Sequence, residues 1–277
     1  EPDIEPIMTA VYYDQPSLFW LDGDYEYRHR DGQIVEVILH FNDLAESLEA
    51  NRRQFEEAAE QILAEARSLS DPADRERLAH DLLLERVVYE ENAPYNQNAY
   101  SALVRGAAVC AGYARAFQYL LLRMNIPCYY CVGTAVSYQN TPEGAVEDHA
   151  WNIIALDDEY YNVDPTWDDT LLAARGLISY GYYNETDERF LTDHTRDPKS
   201  AELPACNGQR HTYEALYGQP AELGILPALG LTDEDVIYDL DTYYSRCLQT
   251  LIETGPGQSA LTVVLWGNEL MDTVQAS

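Results

Sequence analysis

Apolar and polar positions change rhythm several times along this chain. From Thr9 to Phe41 they alternate around two turn signals, Leu21-Asp22-Gly23-Asp24 and Arg30-Asp31-Gly32, which predicts hairpins with a strand over Gln33–Phe41. From Ser47 to Leu69 the period becomes helical: Phe55, Ala58, Ala59, Ile62, Leu63 and Ala66 share one face and charges the other. Asp71-Pro72 opens a second helix, with Asp71 as N-cap and a stripe of Leu78, Leu82, Val87 and Val88, stopping near Glu91–Pro94. A polar loop, Tyr95–Tyr100, follows. After Gly106 a third helix starts close to Cys110 and buries Tyr113, Phe117, Leu120, Leu121 and Met124. Three strands are predicted next: Cys128–Val136, His149–Leu156 and Tyr160–Val163. Past Trp167 the chain is loop-rich until a helix over Asp239–Glu253, a strand over Leu261–Trp266 and a short terminal helix. This order predicts an α+β fold, a helical half preceding an antiparallel sheet. The expected segments are residues 1–70 (strands plus helix), 71–200 (core) and 201–277 (an α/β segment packing on either).

Composition narrows the function. The 277 residues carry 17 basic and 48 acidic side chains, a net charge of −31, while 46% are apolar, so the acidity is that of a folded surface. Such a surface repels phosphate backbones and anionic membrane faces, which argues against nucleic acid as a partner. No run of about 18 apolar residues is present to span a membrane. The acidity sits on the flanks: residues 110–150 hold only Arg115 and Arg123 against Glu143, Glu147 and Asp148. Lys199 is the single lysine, so the surface offers few amines. The sequence starts at Glu1 without a Met or signal segment of its own; a mature or truncated product, at the surface or outside the cytoplasm of a bacterium, is expected.

Five cysteines cannot all pair internally, and their spacing suggests no disulfide framework. Cys128 and Cys131 form a C-x-x-C pair inside an apolar strand, with no second pair at zinc spacing, so two buried thiols are expected rather than a metal site. No EF-hand pattern is present, and no metal or cofactor is expected.

Three side chains carry candidate chemistry. Cys110 begins a helix, where free amides and the helix dipole favour a thiolate. Ala111 and Gly112 beside it leave room for a substrate carbonyl, and the Cys110 amide can hold an oxyanion. His149 opens a strand and shares a face with Trp151 and Ile153. A two-residue turn at Asp157-Asp158 pairs Leu156 with Glu159 and position 164 with 151, which puts Asp164 on the face of His149, one diagonal step of about 7–8 Å away. A three-residue turn without a bulge reverses that parity. The Cys110 helix then has only to pack its N-terminus on that face to complete Cys–His–Asp.

The stretches around Cys110, His149-Ala150-Trp151-Asn152 and Val163-Asp164-Pro165-Thr166-Trp167-Asp168 resemble the transglutaminase-like (papain-like cysteine enzyme) superfamily, over about residues 72–170. The opening Val11–Trp20, and Tyr182–Asp187 with His194 after it, resemble bacterial members with an N-terminal extension. The resemblance implies a papain-like core with the nucleophile helix packed on an antiparallel sheet. It implies Cys110 as nucleophile, His149 as base and acid, and Asp164 as orienter. Gln97 is the expected oxyanion donor, Trp151 and Trp167 are expected to wall the site, and Tyr113 and Asn152 to brace it. The activity implied is acyl transfer on a protein or peptide amide through a thioester, resolved by water or an amine acceptor. Two other readings stay open: a non-catalytic interaction module on the same fold, and a peptidase or amidase of cell-wall peptides.

Overall fold

The computed structural model describes residues 4–137, 144–169, 178–218, 233–237, 239–254 and 263–265. The chain forms two units, Glu1–Ala221 and Glu222–Ser277. The first begins with helix α1 (Glu5–Asp14), where alternation had suggested strand; Pro6 sits in its first turn. Strands β1 (Leu21–Arg30) and β2 (Gln33–Phe41) form a two-stranded antiparallel ribbon. Asp31 and Gly32 turn it, both at positive φ. The other expected turn, at Asp22–Asp24, lies inside β1, where the register shifts between Leu21 and Tyr25.

Helices α2 (Leu48–Ala66) and α3 (Pro72–Leu84) follow the helical stripes. Asp71 caps α3, accepting from the Ala73 amide at 2.8 Å. Helix α3 ends at Leu84, earlier than expected, and Val88–Tyr89 become strand β3, parallel to β4 (Ala107–Ala108). Its buried face also differs from the apolar stripe. Glu76 and His80 are fully buried beside Ala79 and Leu83, whereas Leu78 and Leu82 are half-buried. Apolar periodicity cannot register a buried polar side chain whose partner is distant in sequence.

Helix α4 (Cys110–Arg123) lies against a four-stranded antiparallel sheet ordered β7-β6-β5-β8. Its strands are β5 (Cys128–Ser137), β6 (Ala145–Leu156), β7 (Glu159–Val163) and β8 (His194–Arg196). The last two residues before β7 make the predicted two-residue turn: Asp157 and Asp158 have φ of 49° and 66°, and Leu156 pairs with Glu159. Asn152 therefore pairs with Val163, and the parity argument holds. The helix does not cover the face of His149, as the sequence analysis expected, but the opposite one. Asn152 donates to the Ala114 carbonyl at 3.0 Å, and Ala114, Tyr130 and Ala150 pack together, so α4 covers the even-numbered residues of β5 and β6. The face of Trp151 and Ile153 instead packs on Cys131, Phe190 and Cys206. Cys128 and Cys131 are both free and buried, on opposite faces of the sheet. Burial raises both thiols, that of Cys131 to about 12.

Beyond β7 come α5 (Pro165–Asp168), α6 (Asp187–Phe190), β8 and α7 (Tyr213–Tyr217). The second unit, considered by itself, pairs β9 (Val236–Ile237) in parallel with β10 (Val264–Leu265) around α8 (Leu240–Thr254). The rest of the expected final strand and the terminal helix lie outside the described residues. No helix among the described residues is long and apolar enough to cross a membrane.

Strand β8 lies close to β5 because Gly133 has no side chain. A Cβ there collides with the Thr195 carbonyl and lies 2.8 Å from the Trp151 ring. Gly133→Ala is expected to lower stability by about 1–3 kcal/mol through this overpacking. Urea unfolding measures it, and an unchanged midpoint contradicts this account of the β5–β8 edge.

Candidate active site

Cys110 is the first residue of α4, and the segment before it is tightly held. Val109 donates to the Asn96 carbonyl at 3.1 Å, and Val88 and Glu90 of the β3 region donate to Gly106 and Ala108. Gly112 is needed for this fit, since a Cβ there runs into the Asn96 carbonyl and the Ala108 methyl. The room expected at Gly112 for a substrate carbonyl is thus filled by the protein itself. Open space lies instead on the Ala111 side, in a cavity of about 530 Å³ that Cys110, Ala111, His149, Gln97 and Tyr89 help to line.

His149 joins Cys110 to Asp164. Its Nε2 donates to Asp164 Oδ2 at 2.6 Å. With Nε2 so committed, Nδ1 is left for the Cys110 thiol, which lines the same cavity and after Asp164 adds to the upward shift of the imidazole. Burial disfavours the charged imidazole, but Asp164 outweighs burial and holds the group at about 10, above its ordinary 6.5. Asp164 is fully buried, which by itself raises a carboxyl; the facing histidines reverse this and hold it well below the usual carboxylate range. Its other oxygen, Oδ1, caps α5 by accepting from the Thr166 and Trp167 amides at 3.0 and 3.3 Å. One side chain therefore starts a helix and orients an imidazole.

The remaining expected residues have distinct places. Gln97 is exposed and lines the cavity. Trp151 is in the core, stacked behind His149 at 6.3 Å and donating to Asn162 at 3.3 Å. Trp167 is half-buried, its ring 5.4 Å from His149. Tyr113 is buried and donates to Asp169 at 2.6 Å, tying α4 to the residue after α5, while Asn152 ties α4 to β6.

Sequence reasoning missed several contributors. Tyr89 was hidden by the expectation that α3 ran through it. Its phenol is pushed up to about 12, mainly by burial and then by Cys110. Tyr13 of α1 also faces the cavity, and α1 is held there by Arg115, which donates to the Tyr12 carbonyl and stacks over Tyr12 and Tyr130 at 4.0 and 4.3 Å. His194 lies within 3.4 Å of Asp164, and His80 pairs with Asp168 at 3.1 Å one helical turn further on. An isolated histidine or tyrosine carries no local signal for such partners.

Residues 57–165 match the model of the transglutaminase-like superfamily, a stretch that holds Cys110, His149 and Asp164. Over that stretch the chain is similar to the transglutaminase-like superfamily. Similar solved structures include a TGase, at 15% identity and a TM-score of 0.35, covering 60% of this chain and 48% of that one. Another is a candidate cysteine protease from Cytophaga hutchinsonii, at 18% identity and a TM-score of 0.33, covering 45% and 40%. A third is menin, solved to reveal its binding site for Mixed Lineage Leukemia protein, at 18% and 0.29, covering 60% and 32%. The chain spans less than half the length of each. No curated protein matches it.

Because His149 is raised in the folded protein, its stabilising contribution is complete below its ordinary 6.5 and is lost as pH climbs through about 10. Asp164→Asn removes the partner that outweighs burial, so the His149 midpoint is expected to fall below 6.5. Imidazole NMR titration reads it, and a midpoint still near 10 contradicts the role of Asp164 in holding this proton.

Proposed function

We propose that this protein is a cysteine-dependent enzyme of acyl transfer on amide bonds. Cys110 is the nucleophile, His149 the acid and base, and Asp164 the orienter. The observation that carries this reading is a thiol at a helix start that shares a cavity with an imidazole whose far nitrogen rests on a buried carboxylate at 2.6 Å. Thiol and imidazole share one open cavity. The attacking species is the Cys110 thiolate. Because Asp164 holds His149 as imidazolium through the neutral range, the proton for the leaving amine is already in place. Attack on the carbonyl carbon breaks the C–N bond, releases the protonated amine and leaves a thioester on Cys110. Neutral His149 then takes a proton from water or an acceptor amine, whose attack breaks the C–S bond.

The substrate is a protein or peptide amide. Hydrolysis is favoured over transamidation because it requires no second binding site. Gln97, exposed on the same cavity, is the proposed oxyanion donor, together with the Cys110 amide.

Mass-spectrometric mapping after brief treatment with an iodoacetamide-type probe is expected to find the label on Cys110, and none there in Cys110→Ala. Labelling confined to other cysteines sinks the assignment. Parallel incubation with a glutamine peptide plus a fluorescent amine, and with peptidoglycan fragments, separates transamidation, simple hydrolysis and cell-wall peptide cleavage. No turnover in either favours the interaction module. Gln97→Ala is expected to lower kcat roughly 10–100-fold with little change in KM; an unchanged kcat removes Gln97 from the oxyanion site.

A further inference from the structure

His194 is no member of the proposed triad, yet it shares the triad's carboxylate. Its Nε2 lies 3.4 Å from Asp164 Oδ2, the oxygen that His149 also uses, and its Nδ1 lies 2.6 Å from Asp193 Oδ1. A neutral imidazole has one N–H and cannot donate to two carboxylates; an imidazolium can. The surroundings suit a cation withdrawn from water. The ring is fully buried, with Phe190, Trp167, Trp151 and Tyr182 at 4.0, 4.6, 5.2 and 5.5 Å between centroids.

The need for such a cation comes from the reaction. Asp164 has no exposure to water. While His149 is protonated, Asp164 has a counter-charge there. Once His149 gives its proton to the leaving amine, the carboxylate is left buried opposite a neutral imidazole, a costly state unless another cation is at hand. We propose that His194 is a positioning residue, an imidazolium that keeps its proton through the cycle, holds Asp164 ionised and in place while His149 is neutral, and limits how tightly Asp164 retains the His149 proton. This rests on the acyl-transfer reading above. In the balance of the step, only the His149 proton moves to the amine.

Among the described residues, the following groups face the pair. Cys110 of α4 and Asp164 after β7 face His149, whose ring lies 5.4 Å from His194. Asp164 and Asp193 face His194, and the Tyr182 hydroxyl donates to the other oxygen of Asp193 at 2.8 Å. Asp168 is one turn along α5 from Asp164, but His80 occupies its Oδ2. Removing His194 thus subtracts a positive charge near His149 and frees Asp164 to bind His149 alone. Both changes tighten the hold on the His149 proton.

The test compares the full chain with His194→Gln and Asp193→Asn, following His149 by imidazole NMR titration and the acylation rate by stopped flow with a chromogenic amide. In His194→Gln the His149 midpoint is expected to rise by about one pH unit, and acylation to slow roughly three- to tenfold. Asp193→Asn leaves the ring in its cage but removes its second carboxylate, so the same midpoint is expected to rise by less. It keeps the test decisive if His194→Gln does not fold. A midpoint that stays or falls in a folded variant overturns the proposal, because a merely structural role lowers folded fraction without moving it. The titration needs no substrate. A wild-type protein with no Cys110 labelling and no turnover therefore defeats the acyl-transfer reading, while the midpoint still reports whether His194 competes for Asp164.

Discussion

Asp164 is fully buried, and a carboxylate withdrawn from water must be matched by cations and donors or lose its charge. Its two oxygens divide this work. Oδ1 is taken by amides at the start of α5, so it stays put as long as that short helix does. Oδ2 is left for imidazoles, with His149 at 2.6 Å and His194 at 3.4 Å. The ends of β6, β7 and β8 and the start of α5 meet around one side chain. The turn at Asp157-Asp158 sets its register, and the absence of a side chain at Gly133 lets β8 come close enough to bring His194.

A second buried polar layer supports the first. His80 of α3 bridges Asp168 and Asp81, both at 3.1 Å. Burial pushes the His80 imidazole down, but the two carboxylates more than reverse this, to about 10. Asp168 also accepts from the Tyr182 amide, while the Asp164 amide donates to the Tyr182 carbonyl. The segment at Tyr182 is thus pinned between Asp164, which caps α5, and Asp168, its last residue. Glu76 accepts from Tyr183 and Asn184, and burial raises its carboxyl to about 8. Neutral Glu76 and charged His80 on one helix face show how the environment separates two groups a turn apart. These groups explain why α3 buries polar residues where its periodicity predicted leucines.

The acidity of the whole chain and the chemistry of the site are largely separate matters. The net −31 is concentrated outside residues 110–150, while the buried carboxylates near Cys110 are matched by histidines packed against them. Around the cavity the mixture is different: Asp148 and Asp197 line it with Lys199, the single lysine, which reaches Glu5 of α1 at 3.4 Å. That helix has no buried residue of its own from Glu5 to Asp14, and its tie to the rest includes the Arg115 guanidinium stacked on Tyr12. One wall of the cavity therefore depends on an arginine of α4, the helix that begins with Cys110.

Much of the core was legible from residues alone. The helical stripes, the Asp71 cap, the start of α4 at Cys110 and the two-residue turn after Leu156 follow from period, capping and turn chemistry, which act over a few residues. Parity then placed His149 and Asp164 on one face, because side-chain direction along a paired hairpin is local information once the turn is known. The expectation that α4 would pack on the face of His149 failed, since parity relates residues within a sheet and carries nothing about what packs on it. It misread α1 and the end of α3, where alternation and apolar stripes were overridden by Pro6 and by buried polar partners. It left His80, Tyr89 and His194 unassigned because their partners lie far away in sequence. Local order, strand register and the choice of Cys110, His149 and Asp164 as the proposed triad belong to the sequence. The environment that charges His149, ionises Asp164 and surrounds His194 with aromatic rings exists only when distant segments are brought together, because burial and pairing are properties of the packed chain.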